Sequence, residues 1–146
     1  MNFNTHQIET DAPEARQAIL KRLVAYNNSK TGHSDHRPLA ILINDEAGAV
    51  IGGFLGRTAF NWLYTELLFV PEPLRGRGIG RSLIMQAEKE ARLRGCHSAW
   101  LNTFEFQARG FYERMGYECF GELSDYPVGF SRFFMKKNLV QAKHAP

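Results

Sequence analysis

The stretch that decides the fold is Leu74-Arg75-Gly76-Arg77-Gly78-Ile79-Gly80-Arg81. It follows residues 62–70, whose apolar and β-forming side chains predict a strand, and leads into residues 78–94, whose apolar positions recur at helical spacing. A turn at this place exposes the unbonded N–H groups and the positive dipole end of the first helical turn. Glycines let an anion approach the backbone and the arginines add positive charge, so the stretch predicts a phosphate-binding turn.

Two familiar phosphate-binding patterns do not fit this turn. A Walker loop ends in Gly-Lys-Ser/Thr, whereas this chain has Gly80-Arg81-Ser82 with a different glycine spacing. A dinucleotide-binding fingerprint needs a third glycine where Arg81 stands, and its turn follows a first strand. A tight strand-to-helix turn with incidental arginines remains the alternative, but anion binding is favoured because it is common at such helix starts.

A second motif lies downstream, in Phe106-Gln107-Ala108-Arg109-Gly110-Phe111-Tyr112-Glu113-Arg114-Met115-Gly116-Tyr117. Arg75-x-x-Gly78-x-Gly80 together with this motif resembles the GNAT N-acetyltransferase superfamily, over about residues 62–137. The resemblance implies acetyl-CoA as co-substrate, with its diphosphate on the amides of about residues 77–81. The cofactor-binding residues implied in this way are Leu68, Phe69, Val70, Arg75, Gly76, Arg77, Gly78, Ile79, Gly80, Arg81 and Phe111.

The candidate catalytic groups are the phenol of Tyr112 and the carboxylate of Glu66. The resemblance implies that the Tyr112 hydroxyl protonates the departing thiolate, a step that suits a phenol. As an alternative, Tyr112 belongs to the core, because it lies among apolar residues at helical spacing. Glu66 is the candidate base, since a buried carboxylate suits proton transfer near neutral pH; the alternatives are a substrate anchor or a solvated strand-end carboxylate. Glu105 stands where many family members have an asparagine that contacts pantetheine, so this chain departs from the family pattern at that contact.

The resemblance also implies the fold: a single α/β domain over residues 1–146, with a mixed, mostly antiparallel sheet and helices on both faces. A helix capped by Thr10 or Asp11 and a mobile loop at residues 27–36 are expected near the N-terminus. Simple alternation would place Glu66 and Leu68 on one face of their strand. The predicted strands are residues 3–9, 39–43, 49–55, 62–70, 98–102, 117–123 and 130–136, and the later helices are 78–94 and 105–115, with a polar tail after 138.

The acceptor is expected to be the primary amine of a small molecule that attacks the thioester directly. Tyr126, in the turn before the last strand, and His33, in the polar loop, are candidate substrate-binding residues. Acetylation of a protein lysine or N-terminus, or a catalytically silent acyl-CoA-binding sensor, remain alternatives.

Composition excludes several classes of protein. With 44% hydrophobic residues, no apolar run approaches the ~18 residues of a membrane span, and the first residues lack the pattern of a secretory signal, so none is expected. A net charge of +3 does not predict nucleic-acid binding. Cys96 and Cys119 have no metal-site or disulfide spacing, so no metal is expected and both are interpreted as reduced thiols of a cytoplasmic protein. A homodimer is a family-level expectation.

Overall fold

The computed structural model describes residues 1, 8 and 10–140. The predicted strand at residues 3–9 lies outside the described residues, apart from Ile8, and most of the polar tail after residue 138 lies outside them too. The described chain divides into two compact units, whose boundary falls between Ser34 and Asp35.

The first unit contains helix α1, Pro13–Thr31, with Pro13 in its first turn. The residue before the helix is Ala12, and no side chain caps the helix start, so the prediction of a cap at Thr10 or Asp11 was wrong. The helix continues through residues 27–31, which were predicted to be a loop. These polar residues are tolerated because the Thr31 hydroxyl donates to the carbonyl of Asn27, at 3.1 Å, within the helix itself.

The described part of the second unit is a six-stranded sheet with two α-helices and one short 3-10 helix, Glu72–Leu74. Its strands lie in the order β1-β2-β3-β4-β6-β5, and neighbours in this order are hydrogen-bonded to each other. β3 and β4 form the parallel pair. Helix α2 supplies the crossover that a parallel pair requires. The mixed, mostly antiparallel α/β class predicted from the sequence is confirmed. The elements are β1 (Arg37–Asn44), β2 (Val50–Ala59), β3 (Trp62–Phe69), α2 (Ile79–Leu93), β4 (Ser98–Phe104), α3 (Arg109–Arg114), β5 (Glu118–Leu123) and β6 (Arg132–Asn138).

Helix α3 is much shorter than the helix predicted over residues 105–115. The Gln107 side chain accepts the backbone N–H of Phe104 at 2.9 Å, which holds the chain in a turn after β4. The backbone N–H of Glu105 donates to the carbonyl of Ser131, at 2.9 Å, in the segment before β6. These bonds compete with helical ones, so the helix begins four residues later than predicted, at Arg109.

An extra residue in β3, Glu66, changes which side chains face the core. Leu55 of β2 faces Leu67 and the next residue, Gly56, faces Thr65, so Glu66 forms a bulge. Thr65 is buried, and after the bulge Leu68 packs against the same core. The expected common face for Glu66 and Leu68 was therefore wrong, because a bulge resets the alternation of a strand.

One face of the sheet carries the core of the second unit. The apolar stripe of α2 predicted from its spacing is confirmed, with Leu83, Ile84, Ala87 and Ala91 buried. It packs with inward residues of the central strands and with Tyr112 of α3. Within the part of the chain that the structure describes, no helix combines the length and apolar character needed to cross a membrane.

Candidate active site

Strands β3 and β4 separate halfway along their length. They pair from Trp62 with Ser98 to Thr65 with Leu101, and no further. β3 nevertheless continues to Phe69 and β4 to Phe104, each held on its other side by an antiparallel neighbour. Beyond Thr65 the two strands therefore face each other across a gap with backbone groups that do not pair between them. An extended ligand can bind to such strand edges.

A cavity of about 1100 Å³ opens at this gap and extends to the glycine-rich turn. It brings together ten of the eleven predicted cofactor-binding residues and both candidate catalytic residues. Arg77 is exposed and does not line it. The predicted residues that do line it are Glu66, Leu68, Phe69, Val70, Arg75, Gly76, Gly78, Ile79, Gly80, Arg81, Phe111 and Tyr112.

The glycine-rich turn presents free backbone donors to the cavity. Gly76 and Gly78 have φ angles of 77° and 75°, in the left-handed region that favours glycine. Gly78 is the residue before α2, no side chain caps the helix start, and the first bond into the helix runs from the Ser82 N–H to the Gly78 carbonyl, at 3.0 Å. The N–H groups of residues 79–81 therefore lack backbone acceptors in the described chain. With the helix dipole, they form the anion-binding geometry expected from the sequence.

Arg75 has a structural contact besides its place on the cavity wall. Its Nε donates to the backbone carbonyl of Val70 at 2.9 Å, and its guanidinium carbon lies 5.7 Å from the ring centre of Phe69. Arg75 thus fixes the turn against the end of β3. Arg81, the third residue of α2, is exposed and lines the cavity, so its positive charge lies at the cavity wall.

Tyr112 is both a core residue and a cavity residue. Only 7% of it is exposed, and its ring packs edge-on against Phe111 and Tyr117, with ring centres 5.1 and 5.9 Å away. Burial raises the pKa of Tyr112 to about 12, since desolvation disfavours the phenolate. The phenol therefore remains protonated at neutral pH and can donate. The two sequence interpretations of Tyr112 are compatible, because its ring is packed while the residue lines the cavity.

Glu66 reaches the cavity from the bulge, but it is exposed. The expectation that this carboxylate is buried was wrong, because the bulge turns it away from the packed face. No cation forms a salt bridge with Glu66 among the described residues. Its carboxylate is thus available to accept a proton or to attract a cationic group at the gap.

Thr65 was not singled out from the sequence. It is only 4% exposed, lines the cavity, and carries the one buried side-chain polar atom without a hydrogen-bond partner in the described chain, Oγ1. An orphaned buried hydroxyl is unusual, since such groups are nearly always paired. A threonine in an apolar strand gives no functional signal by itself. Its significance depends on the place where β3 and β4 separate.

Tyr126, one of the two candidate acceptor residues, does not line the cavity. Tyr126 is 48% exposed, and its ring centre lies 6.3 Å from that of Phe104. Phe104 in turn stacks on Phe106, which lines the cavity, so Tyr126 connects to it through aromatic rings. His33 belongs to the first unit and is exposed. The carboxylate of Glu105 accepts the Ser131 N–H at 2.7 Å and does not line the cavity.

Comparison with known proteins identifies the family. Residues 4–117 match the model of the acetyltransferase (GNAT) family. This chain belongs to the GNAT family. It is 44% identical over 137 residues to the acetyltransferase Atu2258 of Agrobacterium fabrum, covering 94% of this chain and 98% of that one. It is 37% identical to the blasticidin-S acetyltransferase of Streptomyces morookaense, covering 75% and 84%.

The fold agrees with this GNAT assignment. A crystal structure of a provisionally named acetyltransferase from Agrobacterium tumefaciens superposes with a TM-score of 0.85 at 43% identity, covering 94% of this chain and 99% of that chain. The GNAT resemblance inferred from the glycine-rich turn and the Tyr112 motif is confirmed, and the protein is an acyltransferase of this family.

Proposed function

We propose that this GNAT protein transfers the acetyl group of acetyl-CoA to a primary amine of a small molecule. The observation that carries the proposal is the single cavity shared by the free amides of the glycine-rich turn, the gap between β3 and β4, and Tyr112. An anion site, an unpaired strand edge and a proton donor in one cavity suit a long thioester with a diphosphate at one end.

The two ends of the cavity would bind different parts of the donor. The N–H groups of residues 79–81 would bind the diphosphate, and the exposed guanidinium of Arg81 would offset its charge. The pantetheine arm would lie along residues 68–70 and bond to the free backbone groups of β3. The thioester would then reach the point where β3 and β4 come together, near Thr65.

The chemistry requires no covalent intermediate on the protein. The amine nitrogen attacks the thioester carbon, the carbon–sulfur bond breaks, and the sulfur leaves with the electron pair. The Tyr112 hydroxyl donates a proton to this thiolate and recovers one from water. The amine loses its proton to Glu66, directly or through water. The free strand N–H groups and the Thr65 hydroxyl, which has no hydrogen-bond partner among the described residues, would polarise the thioester carbonyl.

A small-molecule acceptor is supported by one relative. The chain is 37% identical to an enzyme named for acetylation of blasticidin S. Sequence identity at this level does not establish that the two proteins share an acceptor, because acceptor pockets vary within one fold. If the acceptor were a protein amine instead, turnover would be confined to lysine or N-terminal peptides.

The test measures thiol release from acetyl-CoA with amines, antibiotics, amino acids and peptides as acceptors, beside calorimetry of acetyl-CoA binding. We expect binding and turnover with at least one small amine. Turnover confined to lysine or N-terminal peptides would replace the small-molecule acceptor with a protein. Tight binding without any transfer would identify an acyl-CoA sensor, and absence of binding at millimolar acetyl-CoA would overturn the proposal.

A further inference from the structure

Four arginines of the second unit are partly buried: Arg57, Arg94, Arg109 and Arg132. Arg94 pairs with Glu90 at 3.0 Å, and Arg109 pairs with Glu113 at 2.8 Å. Among the described residues, neither Arg57 nor Arg132 has a carboxylate partner. A partly desolvated guanidinium is usually paired, so these two require an explanation.

Arg132 is held in a fixed position by its surroundings. Its guanidinium carbon lies 4.6 Å from the ring centre of Phe104 and 4.5 Å from that of Tyr126. Its Nε donates to Asn102 Oδ1 at 2.8 Å. These contacts use one of its five donors, and no other side-chain bond of Arg132 occurs within the described ranges. The two terminal Nη groups therefore remain available to a planar oxyanion.

Arg132 is connected to the cavity by Asn102 and by the aromatic rings. Asn102 lines the cavity on β4, at the part of the strand that has separated from β3. Phe104, which stacks on Arg132, also stacks on the cavity residue Phe106, with ring centres 5.1 Å apart. Arg132 does not itself line the cavity, but it hydrogen-bonds Asn102, which does. Its neighbour Phe133 faces the packed core, so Arg132 lies on the opposite face of the sheet.

Arg57 places a second charge on the same face. Its guanidinium carbon lies 4.4 Å from the ring centre of Tyr64, which it faces across β2 and β3. The Tyr64 hydroxyl accepts from Asn102 Nδ2 at 3.4 Å. Two guanidinium groups without a carboxylate partner among the described residues thus lie on either side of Asn102, and together they add positive charge beside the gap.

We propose that the acceptor amine also carries a carboxylate, and that Arg132 binds this carboxylate while the amine reaches the gap beside Glu66. This inference rests on the proposed acetyltransferase function. Arg132 suits the role because a guanidinium fork binds a carboxylate through two parallel bonds, and stacking between Phe104 and Tyr126 has already restricted its motion. Arg57 strengthens the attraction through its charge.

A purely structural Arg132 would behave differently. As a clamp between β6 and the turn that contains Tyr126, it would stabilise the fold and be indifferent to the charge of the acceptor. A carboxylate-binding Arg132 distinguishes an amino acid from its methyl ester. The charge preference, measured within one protein variant, therefore separates the two roles without reference to the stability of that variant.

The experiment compares matched acceptors: each amine of the panel that carries a carboxylate is assayed beside its methyl ester and its primary amide. The readout is the ratio of kcat/KM for the acid to kcat/KM for the ester. We expect wild-type protein to prefer the acid about 10-fold to 100-fold, as for a charge-assisted bidentate pair. Arg132→Gln should reduce this ratio to about one through KM for the acid, and Arg132→Lys should restore part of it, because lysine keeps the charge but loses the fork.

Arg109→Gln is the matched control. Arg109 also stacks on a ring, that of Phe133 at 4.3 Å, but its charge is already paired with Glu113. This variant should keep the wild-type preference. Equal turnover of acids and esters by wild type would overturn the inference. An unchanged preference for acids in Arg132→Gln would overturn it too. Either result would leave the acetyltransferase function intact. Absence of transfer to every amine would overturn both proposals.

Discussion

Thr65 and Leu101 are the last residues that face each other across β3 and β4 before these parallel strands separate. Both are buried and both line the cavity, so they form its wall at the vertex of the gap. Leu101 closes the vertex with an apolar side chain, whereas Thr65 leaves a hydroxyl without a partner. Under the proposed function, this pair would mark where a donor that enters along β3 stops.

Thr65→Val tests whether the orphaned hydroxyl serves the reaction. Valine has nearly the same shape, so the fold should be kept, and the free energy of unfolding should be unchanged or higher by about 1 kcal/mol, because an unmade buried hydrogen bond is removed. Turnover should fall at least several-fold. Urea unfolding and steady-state kinetics measure the two effects.

Thr58→Val is the control for this substitution. Thr58 is also buried, but its Oγ1 accepts from Arg94 Nη1 at 3.1 Å. Its replacement should lower the free energy of unfolding by about 1 kcal/mol because one hydrogen bond is lost, although Arg94 Nη1 still donates to the carbonyls of Arg37 and Pro38. A Thr65→Val variant that loses stability like Thr58→Val, with normal turnover, contradicts the functional role.

Gly78→Ala tests the glycine-rich turn. A Cβ at Gly78 meets no atom within 4 Å, so the cost lies in the φ angle of 75°, which alanine adopts at about 1–2 kcal/mol. Relief of this strain would shift the N–H groups at the start of α2, and we expect the Kd for acetyl-CoA to rise about tenfold, equivalent to about 1.4 kcal/mol.

Gly48→Ala is its matched control, since Gly48 has φ of 85° and equally open space, in the turn between β1 and β2. Both variants should lose similar stability, but calorimetry should detect weaker acetyl-CoA binding only in Gly78→Ala. Equal affinities in the two variants would count against diphosphate binding at this turn.

Tyr112→Phe tests the proton donor. General acids contribute about 100-fold to 10,000-fold, so kcat should fall about 100-fold with little change in the KM for acetyl-CoA. Tyr26→Phe, at an exposed tyrosine of α1, should leave kcat unchanged. Unaltered turnover in Tyr112→Phe would assign Tyr112 to the core alone.

Tyr112 also makes a prediction about alkaline pH. Its pKa is raised by burial from 10.0 to about 12, so the folded state retains a proton that the unfolded state loses. The contribution to stability is therefore complete below pH 10 and is lost as the pH rises towards 12. The stability of wild type should decline more steeply over this range than that of Tyr112→Phe, as measured by urea unfolding at each pH.

Glu88→Gln tests a buried ion pair between α2 and β6. The Glu88 side chain is 3% exposed, receives Lys137 Nζ at 2.8 Å and accepts the Tyr117 hydroxyl at 2.9 Å. Removing its charge leaves Lys137 without its partner, so the free energy of unfolding should fall by about 3 kcal/mol. Glu118→Gln, which breaks the exposed pair with Lys136 at 3.9 Å, should cost less than about 1 kcal/mol. Similar losses in both variants would contradict the importance of burial.

The sequence by itself determined the features that depend on local spacing. Short segments of the sequence suffice to predict the turn from Leu74 to Arg81, the apolar stripe of α2 and the position of Tyr112. A helix start needs free N–H groups whatever surrounds it, and an apolar stripe needs a surface to cover. The family and the mixed α/β class follow from such local patterns, and both are confirmed.

Tertiary structure alone decided the features that depend on pairing between distant segments. The bulge at Glu66 depends on the register of β2 against β3, and it moved this carboxylate from an expected buried face to an exposed one. The orphaned hydroxyl of Thr65 depends on where β4 leaves β3, and the unpaired Arg132 depends on rings brought together from β4 and the turn before β6. No periodicity encodes these contacts, because register and close packing arise from partners far apart in the chain.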